Sequence, residues 1–209
     1  MNLLFKRSAP FLALLGLALG SCQPDLEYEP KSNAGEADFS RYIAVGNSLT
    51  AGFSDRGLYL EGQVNSYPAI LAQQFAKVDG GPFVQPLFPA ANSNGSGYLA
   101  ITGFNGATPT ITPVAGNGFA TPGLPLFIRY TGTDNQNLGV PGIRVADVTT
   151  TNYGRLTPNS NAGNFNPYFE RLLPGNTPTT YTEYVQERVS TIKPTFFTNW
   201  LGNNDVLGY

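Results

Sequence analysis

Three turns in this chain carry residues suited to chemistry, and each follows a short apolar run. Ser48 ends the stretch Tyr42-Ile43-Ala44-Val45-Gly46-Asn47-Ser48. Gly142 ends Asn137-Leu138-Gly139-Val140-Pro141-Gly142. Asn204 lies in "TFFTNWLGNND", which begins at Thr195. A serine hydroxyl becomes a nucleophile when a base removes its proton. At the start of a helix it also gains from free amides and the helix dipole. A glycine amide approaches a developing oxyanion without a Cβ in the way, and an asparagine amide donates a further hydrogen bond to it. The chemistry that uses all three is acyl transfer. Taken singly, each residue has a plainer job: Ser48 as a helix N-cap, Gly142 as the turn glycine after Pro141, Asn204 as a turn residue. Asp205 is expected to bind nearby backbone amides rather than act as the catalytic acid. The 209 residues include no histidine, so the usual general base is missing from them.

These turns need elements to hold them. The apolar runs near 41–46, 136–140 and 195–201 predict strands buried on both faces. A helix is predicted near 66–77, with Ser66 as cap and Pro68 in its first turn. Its apolar face is Tyr67, Ile70, Leu71, Phe75 and Val78. The clearest helix signal covers 181–192. Thr180 and Glu183 form a capping-box pair, and Tyr181, Tyr184, Val185, Val189 and Ile192 make an apolar stripe that Lys193-Pro194 closes. Ile143 to Val148 can begin a helix, and "NPYFERLL" suits a short one. Alternating strands and helices predict an α/β fold with parallel neighbouring strands, whose site lies beyond the strands' carboxyl ends. Residues 79–133 interrupt that pattern with a Gly/Pro-rich insert. Within it Tyr98 to Ile101 and Leu126 to Ile128 are expected to form an irregular hairpin, and so long an insert is expected to hold local β structure or to cover a site.

In this order the three turns resemble the sequence blocks of the SGNH hydrolases, also called GDSL lipases and esterases. "GNSLTAG" is similar to the first block, with Asn47 where aspartate is more usual. "NLGVPG" is similar to the second and "GNND" to the third. The resemblance covers most of 41–209 apart from the insert, and it extends to a group of secreted lipoproteins of Bacteroidetes type within the family. It implies a three-layer, flavodoxin-like parallel sheet, with Ser48 as nucleophile and Gly142 and Asn204 as the oxyanion hole. It also implies an ester substrate of lipid, glycan or small-molecule type. The fourth block of the family, Asp-x-x-His, has no counterpart. The expectation is therefore an N-terminal portion of a longer protein, inactive alone, whose catalytic Asp and His follow residue 209. The first and second blocks also lie much further apart than in compact members, because the insert separates them.

The remaining sequence sets the setting. Net charge is −2, and 12% of residues are charged. There is no basic footprint for nucleic acid. Lys6-Arg7 precedes the apolar stretch "APFLALLGLALGS", which is too short for a resident membrane span. The stretch ends in small residues before Cys22, the only cysteine, in a pattern that resembles a bacterial lipobox. Residues 1–22 are thus expected to be a lipoprotein signal peptide, with Cys22 lipidated and 23–40 a flexible tether. The expected place is the cell envelope, at an outer membrane. One cysteine excludes an intrachain disulfide. Asp134, Asn135 and Asn137 lack the spacing of a metal loop, and no metal or cofactor is expected. Two functional classes follow: a serine ester hydrolase, or a surface-anchored lipoprotein that keeps the fold and binds through the insert.

Overall fold

The computed structural model describes residues 33–121, 123–124, 126–158 and 165–208. In chain order its regular elements are β1 (Tyr42–Gly46), α1 (Ser48–Ala51), α2 (Leu60–Val64), α3 (Tyr67–Phe75), β2 (Gly97–Asn105), β3 (Thr108–Ala115), β4 (Asn137–Gly139), α4 (Pro167–Glu170), α5 (Tyr181–Ile192), β5 (Phe196–Trp200) and α6 (Asn203–Leu207). Short 3-10 turns cover Ala76–Val78, Ala90–Asn92 and Val145–Asp147. The proposed signal segment, Cys22 and most of the expected tether lie outside the described residues. Among the described residues no helix is long and apolar enough to cross a membrane.

The protein is a mixed α/β structure. Three parallel strands stand in the order β4-β1-β5, beside a separate antiparallel pair, β2-β3. The three runs expected to be parallel neighbours are so. Their apolar residues explain it, since a parallel strand needs cover on both faces. Tyr42 meets Phe75 of α3 edge-on, with ring centroids 5.2 Å apart. On the opposite face Ile43 and Leu138 join Tyr181 and Tyr184 of α5 in a buried cluster with Phe169 and Leu173. The strand alternation thus feeds one face to α3 and the other to α5. Phe39, assigned from sequence to the tether, stacks on Phe75 at 4.1 Å, so the packed unit begins before residue 41.

Helix α5 forms as its sequence predicts. Thr180 and Glu183 make the reciprocal capping box, and Lys193 closes the helix with φ 51°. Within the expected stripe, however, Val189 is exposed, and Arg188 on the same helix is buried. The guanidinium of Arg188 is satisfied by the Thr133 carbonyl and by Glu187. Helix α3 also departs in detail. Ser66 sits at its N-cap but makes no capping bond; its hydroxyl donates to Gln85 Oε1 at 3.1 Å. Ile70 faces solvent, while Pro68 and Ala69 are buried. The run 143–148 gives only the 3-10 turn Val145–Asp147, and "NPYFERLL" gives the four-residue α4.

The insert holds the local β structure expected of it, with a different partner. Tyr98 to Ile101 lie in β2, which pairs with β3. Leu126 to Ile128 contribute only an isolated bridge between Phe119 and Phe127. Pro109 and Pro113 make β3 a poor strand by composition. A two-stranded ribbon tolerates them because the missing donors fall on its unpaired edge. Arg171 fastens the insert to the body. Its guanidinium donates to the carbonyls of Pro86 (2.7 Å) and Leu87 (2.8 Å) and lies 4.1 Å from the centre of the Phe88 ring. Burial lowers its pKa to about 10.

Strand β5 differs most from a buried parallel strand. Among the described residues it has one strand neighbour, β1, and Phe197 and Trp200 are 65% and 48% exposed.

Candidate active site

Backbone register brings the three turns to one edge of the sheet. Gly46 pairs with Gly139 on one side and Trp200 on the other, so the carboxyl ends of all three strands are level. Ser48, Gly142 and Asn204 follow within a few residues of these partners. Two glycines permit the close approach. A Cβ on Gly46 would lie 2.9 Å from the Trp200 carbonyl oxygen, and one on Gly139 would lie 2.7 Å from the Ala51 Cα. The first turn of α1 therefore packs directly on strand backbone. Tyr181 ties the same edge from below. Its hydroxyl donates to the Leu138 carbonyl at 2.8 Å and accepts the Gly46 N–H at 3.2 Å. Burial holds this phenol well above its ordinary pKa, so it stays a neutral donor.

Side chains join the three turns as well. Asn47 is fully buried. Its Oδ1 accepts the Leu49 N–H at 3.1 Å, and its Nδ2 donates to Asn203 Oδ1. An aspartate at position 47 would keep the first bond and lack the donor for the second. Asn204 Nδ2 donates to the Ile143 carbonyl at 2.8 Å, which links the third turn to the second. Asp205 accepts the amides of Val145 (2.9 Å) and Ala146 (3.3 Å), so it is structural, as expected. On the far side, Asn166 Nδ2 donates to the Pro141 carbonyl at 2.8 Å and fixes the turn that carries Gly142.

The three candidates differ in what they leave free. Ser48 is half-buried and Gly142 exposed. Among the described residues, neither the Ser48 hydroxyl nor the Gly142 N–H has a hydrogen-bond partner. Gly142 has φ +82°, a conformation that excludes a normal side chain, and the nearest atom to a Cβ there would be 3.8 Å away. The amide of Asn204 spends one N–H on Ile143 and keeps the other. Two cavities lie at this edge. One, of about 500 Å³, is lined by Leu49, Phe53, Tyr59, Tyr67 and Trp200. The other, of about 430 Å³, is lined by Pro141, Gly142, Arg144, Asn166 and Tyr168. Both have the size of small-molecule sites.

Sequence reasoning overlooked the Asn47–Asn203 pair and Asn166. The first left a signal: an asparagine at 47, where the resembled block usually has aspartate, alongside a second asparagine in "GNND". Asn166 left only the signal of a helix N-cap before Pro167, where its Oδ1 accepts the Tyr168 and Phe169 amides; its bond to Pro141, on a distant segment, left none.

A charge pair stiffens the turn after Gly142. Asp147 accepts from the Arg144 amide (3.0 Å), Nε (3.0 Å) and Nη2 (2.8 Å). Burial pushes the Asp147 carboxyl up, but the Arg144 hydrogen bonds and charge outweigh it and hold the carboxyl below its ordinary value of 3.8. A carboxyl lowered by folding stabilises the native state above its ordinary pKa. That contribution is lost as pH falls through the lowered value. The Asp147→Asn variant should therefore have a lower urea midpoint than wild type at pH 7, and the gap should shrink as pH drops below 3.8. A gap that is constant across this range would contradict the assignment.

No family model, curated protein or solved structure matches the chain.

Proposed function

We propose that this chain carries the nucleophile and the oxyanion hole of a serine ester hydrolase of SGNH type. One observation carries the reading: Ser48 and the Gly142 amide stand unpartnered at one sheet edge, with Asn204 hydrogen-bonded to the residue after Gly142. Strand order supports the fold part of the proposal. Counting the parallel strands by sequence, the order is second, first, third, the same as in the first three strands of a flavodoxin-like sheet.

In this mechanism Ser48 Oγ attacks the ester carbonyl carbon. The carbonyl electron pair moves onto oxygen, where the N–H groups of Ser48 and Gly142 and the Asn204 amide stabilise it. Collapse expels the alcohol, and water then cleaves the acyl-serine. A base must take the Ser48 proton and return it to the leaving alcohol. The sequence has no histidine, so on this reading a histidine held by an aspartate, both outside these residues, supplies that step. The substrates are acyl or acetyl esters of lipid or glycan. No cofactor enters any step. Export and anchoring through a lipid on Cys22 belong to the same proposal.

Covalent labelling tests it. The full-length protein should react with a fluorophosphonate probe, and peptide mapping should place the adduct on Ser48. Ser48→Ala should abolish both the adduct and hydrolysis of short acyl esters. Undiminished turnover in Ser48→Ala would remove the nucleophile. A full-length protein that neither labels nor hydrolyses, and whose complete sequence lacks an Asp-x-x-His block, would favour the binding lipoprotein.

A further inference from the structure

The β2–β3 ribbon has one face that nothing in the described protein covers. Opposed residues in an antiparallel pair share a face. Leu99 faces Pro113, Ile101 faces Ile111, and Phe104 faces Pro109. Ile101 and Phe104 are three residues apart and would normally point oppositely. The bulge between Ile101 and Gly103 returns Phe104 to the Ile101 face. Six apolar side chains therefore form one continuous surface, on which Ile101, Phe104 and Ile111 are 61%, 69% and 56% exposed. The reverse face is different. Tyr98 stacks on Tyr59 at 4.1 Å, and Thr102 bonds to Thr112 at 2.8 Å.

Two further features limit what the apolar face can meet. Residues 80–128 contain no Asp, Glu, Lys or Arg, so the ribbon itself carries no charge; Asp55 and Arg56 lie at its root, where the Leu99 N–H donates to the Asp55 carbonyl. Protein interfaces ordinarily have a polar rim and favour arginine. In addition, Pro109 and Pro113 leave β3 without donors at two points along its free edge, which opposes strand addition by a second copy. A neutral lipid surface needs neither charge nor ladder donors. It takes up Ile and Phe side chains, and threonine hydroxyls can remain among the headgroups.

We infer that the β2–β3 ribbon is a lipid-docking arm whose Leu99, Ile101, Phe104 and Ile111 face enters the interface of a neutral bilayer. Tyr59, against which the root of the ribbon stacks, also lines the aromatic cavity beside α1. Docking by the arm would hold that cavity near the lipid surface. The inference stands whether or not Ser48 is a nucleophile.

A local probe separates this contact from any anchoring by the N-terminus. In the full chain carrying Cys22→Ser, a Phe104→Cys variant is labelled with nitrobenzoxadiazole and mixed with phosphatidylcholine vesicles. Blue-shifted emission and quenching by doxyl-labelled lipid are expected, unchanged between low and high salt, because no charge takes part. The same label at a Lys77→Cys site should not respond. Adding Ile101→Asp and Ile111→Asp should remove the response at 104 without lowering the thermal midpoint, since both positions are exposed. No shift with vesicles would overturn the inference. So would a shift that appears without lipid and grows with protein concentration, which would identify a second copy as the occupant.

Discussion

On the hydrolase reading, Asn204→Ala in the full-length protein should cut turnover of a short acyl ester by roughly a hundred- to a thousandfold, the usual cost of one oxyanion donor. The loss should fall on kcat, with KM little changed, because the bond to the oxyanion exists only in the transition state. Asn204 also has a structural bond, from Nδ2 to the Ile143 carbonyl. Removing a part-buried bond of that kind costs about 1 kcal/mol of stability, too little to unfold a protein of ordinary stability. A urea titration of Asn204→Ala therefore distinguishes the two roles. A small drop in midpoint with a large drop in kcat is the expected pair of results. A kcat within about tenfold of wild type would assign Asn204 to the turn alone.

What the sequence disclosed and what it concealed follow a physical division. β1 and β5 were legible as short runs rich in apolar and aromatic residues, and β4, with Leu138 as its one apolar side chain, by the Pro141-Gly142 turn that follows it. Helix α5 was legible because its cap is local: Thr180 and Glu183 are three residues apart and bond to each other. Asp205 could be assigned a structural role in advance, since an acidic residue next to a turn commonly binds amides. Features set by distant partners were not legible. Ser66 looks like a cap, but Gln85 competes for its hydroxyl. Arg171 and Arg188 look like surface cations. They are buried because carbonyls of Pro86, Leu87 and Thr133, far away in sequence, accept their protons. The partner of β2 was hidden by Pro109 and Pro113, whose cost depends on which edge of the ribbon they occupy. The site shows the same division. Ser48, Gly142 and Asn204 stand out as residue types at strand ends, while the Asn47–Asn203 link that joins the first turn to the third appears only in the folded chain.

A large stability effect is expected of a small substitution at Gly139, which lies next to the helix that carries Ser48. A methyl group there would lie 2.7 Å from the Ala51 Cα and the Thr50 carbonyl carbon, and closer still to the Ala51 nitrogen. These are backbone atoms and cannot swing aside as a side chain would. The neighbouring hydrogen bonds resist a shift of the whole helix. Asn137 Nδ2 holds the Thr50 carbonyl at 2.8 Å, and Asn137 Oδ1 accepts the Gly139 N–H at 3.0 Å. Overpacking a core costs typically 1–3 kcal/mol, and a backbone clash on this scale belongs at the upper end, about 3 kcal/mol for Gly139→Ala. Gly175→Ala supplies the control, because the nearest atom to a Cβ there is 4.0 Å away and its φ is not left-handed. It should change stability by no more than about 0.5 kcal/mol. Urea melts of the two variants measure the difference. The molecules of Gly139→Ala that stay folded must carry α1 displaced from β4, and Ser48 is the first residue of α1. A displacement of about 1 Å at a reacting group costs on the order of a hundredfold in rate. On the hydrolase reading, fluorophosphonate labelling of the folded fraction should therefore slow as well. An unchanged urea midpoint for Gly139→Ala would show that α1 is not seated on β4, and the positioning of Ser48 by that contact would fall with it.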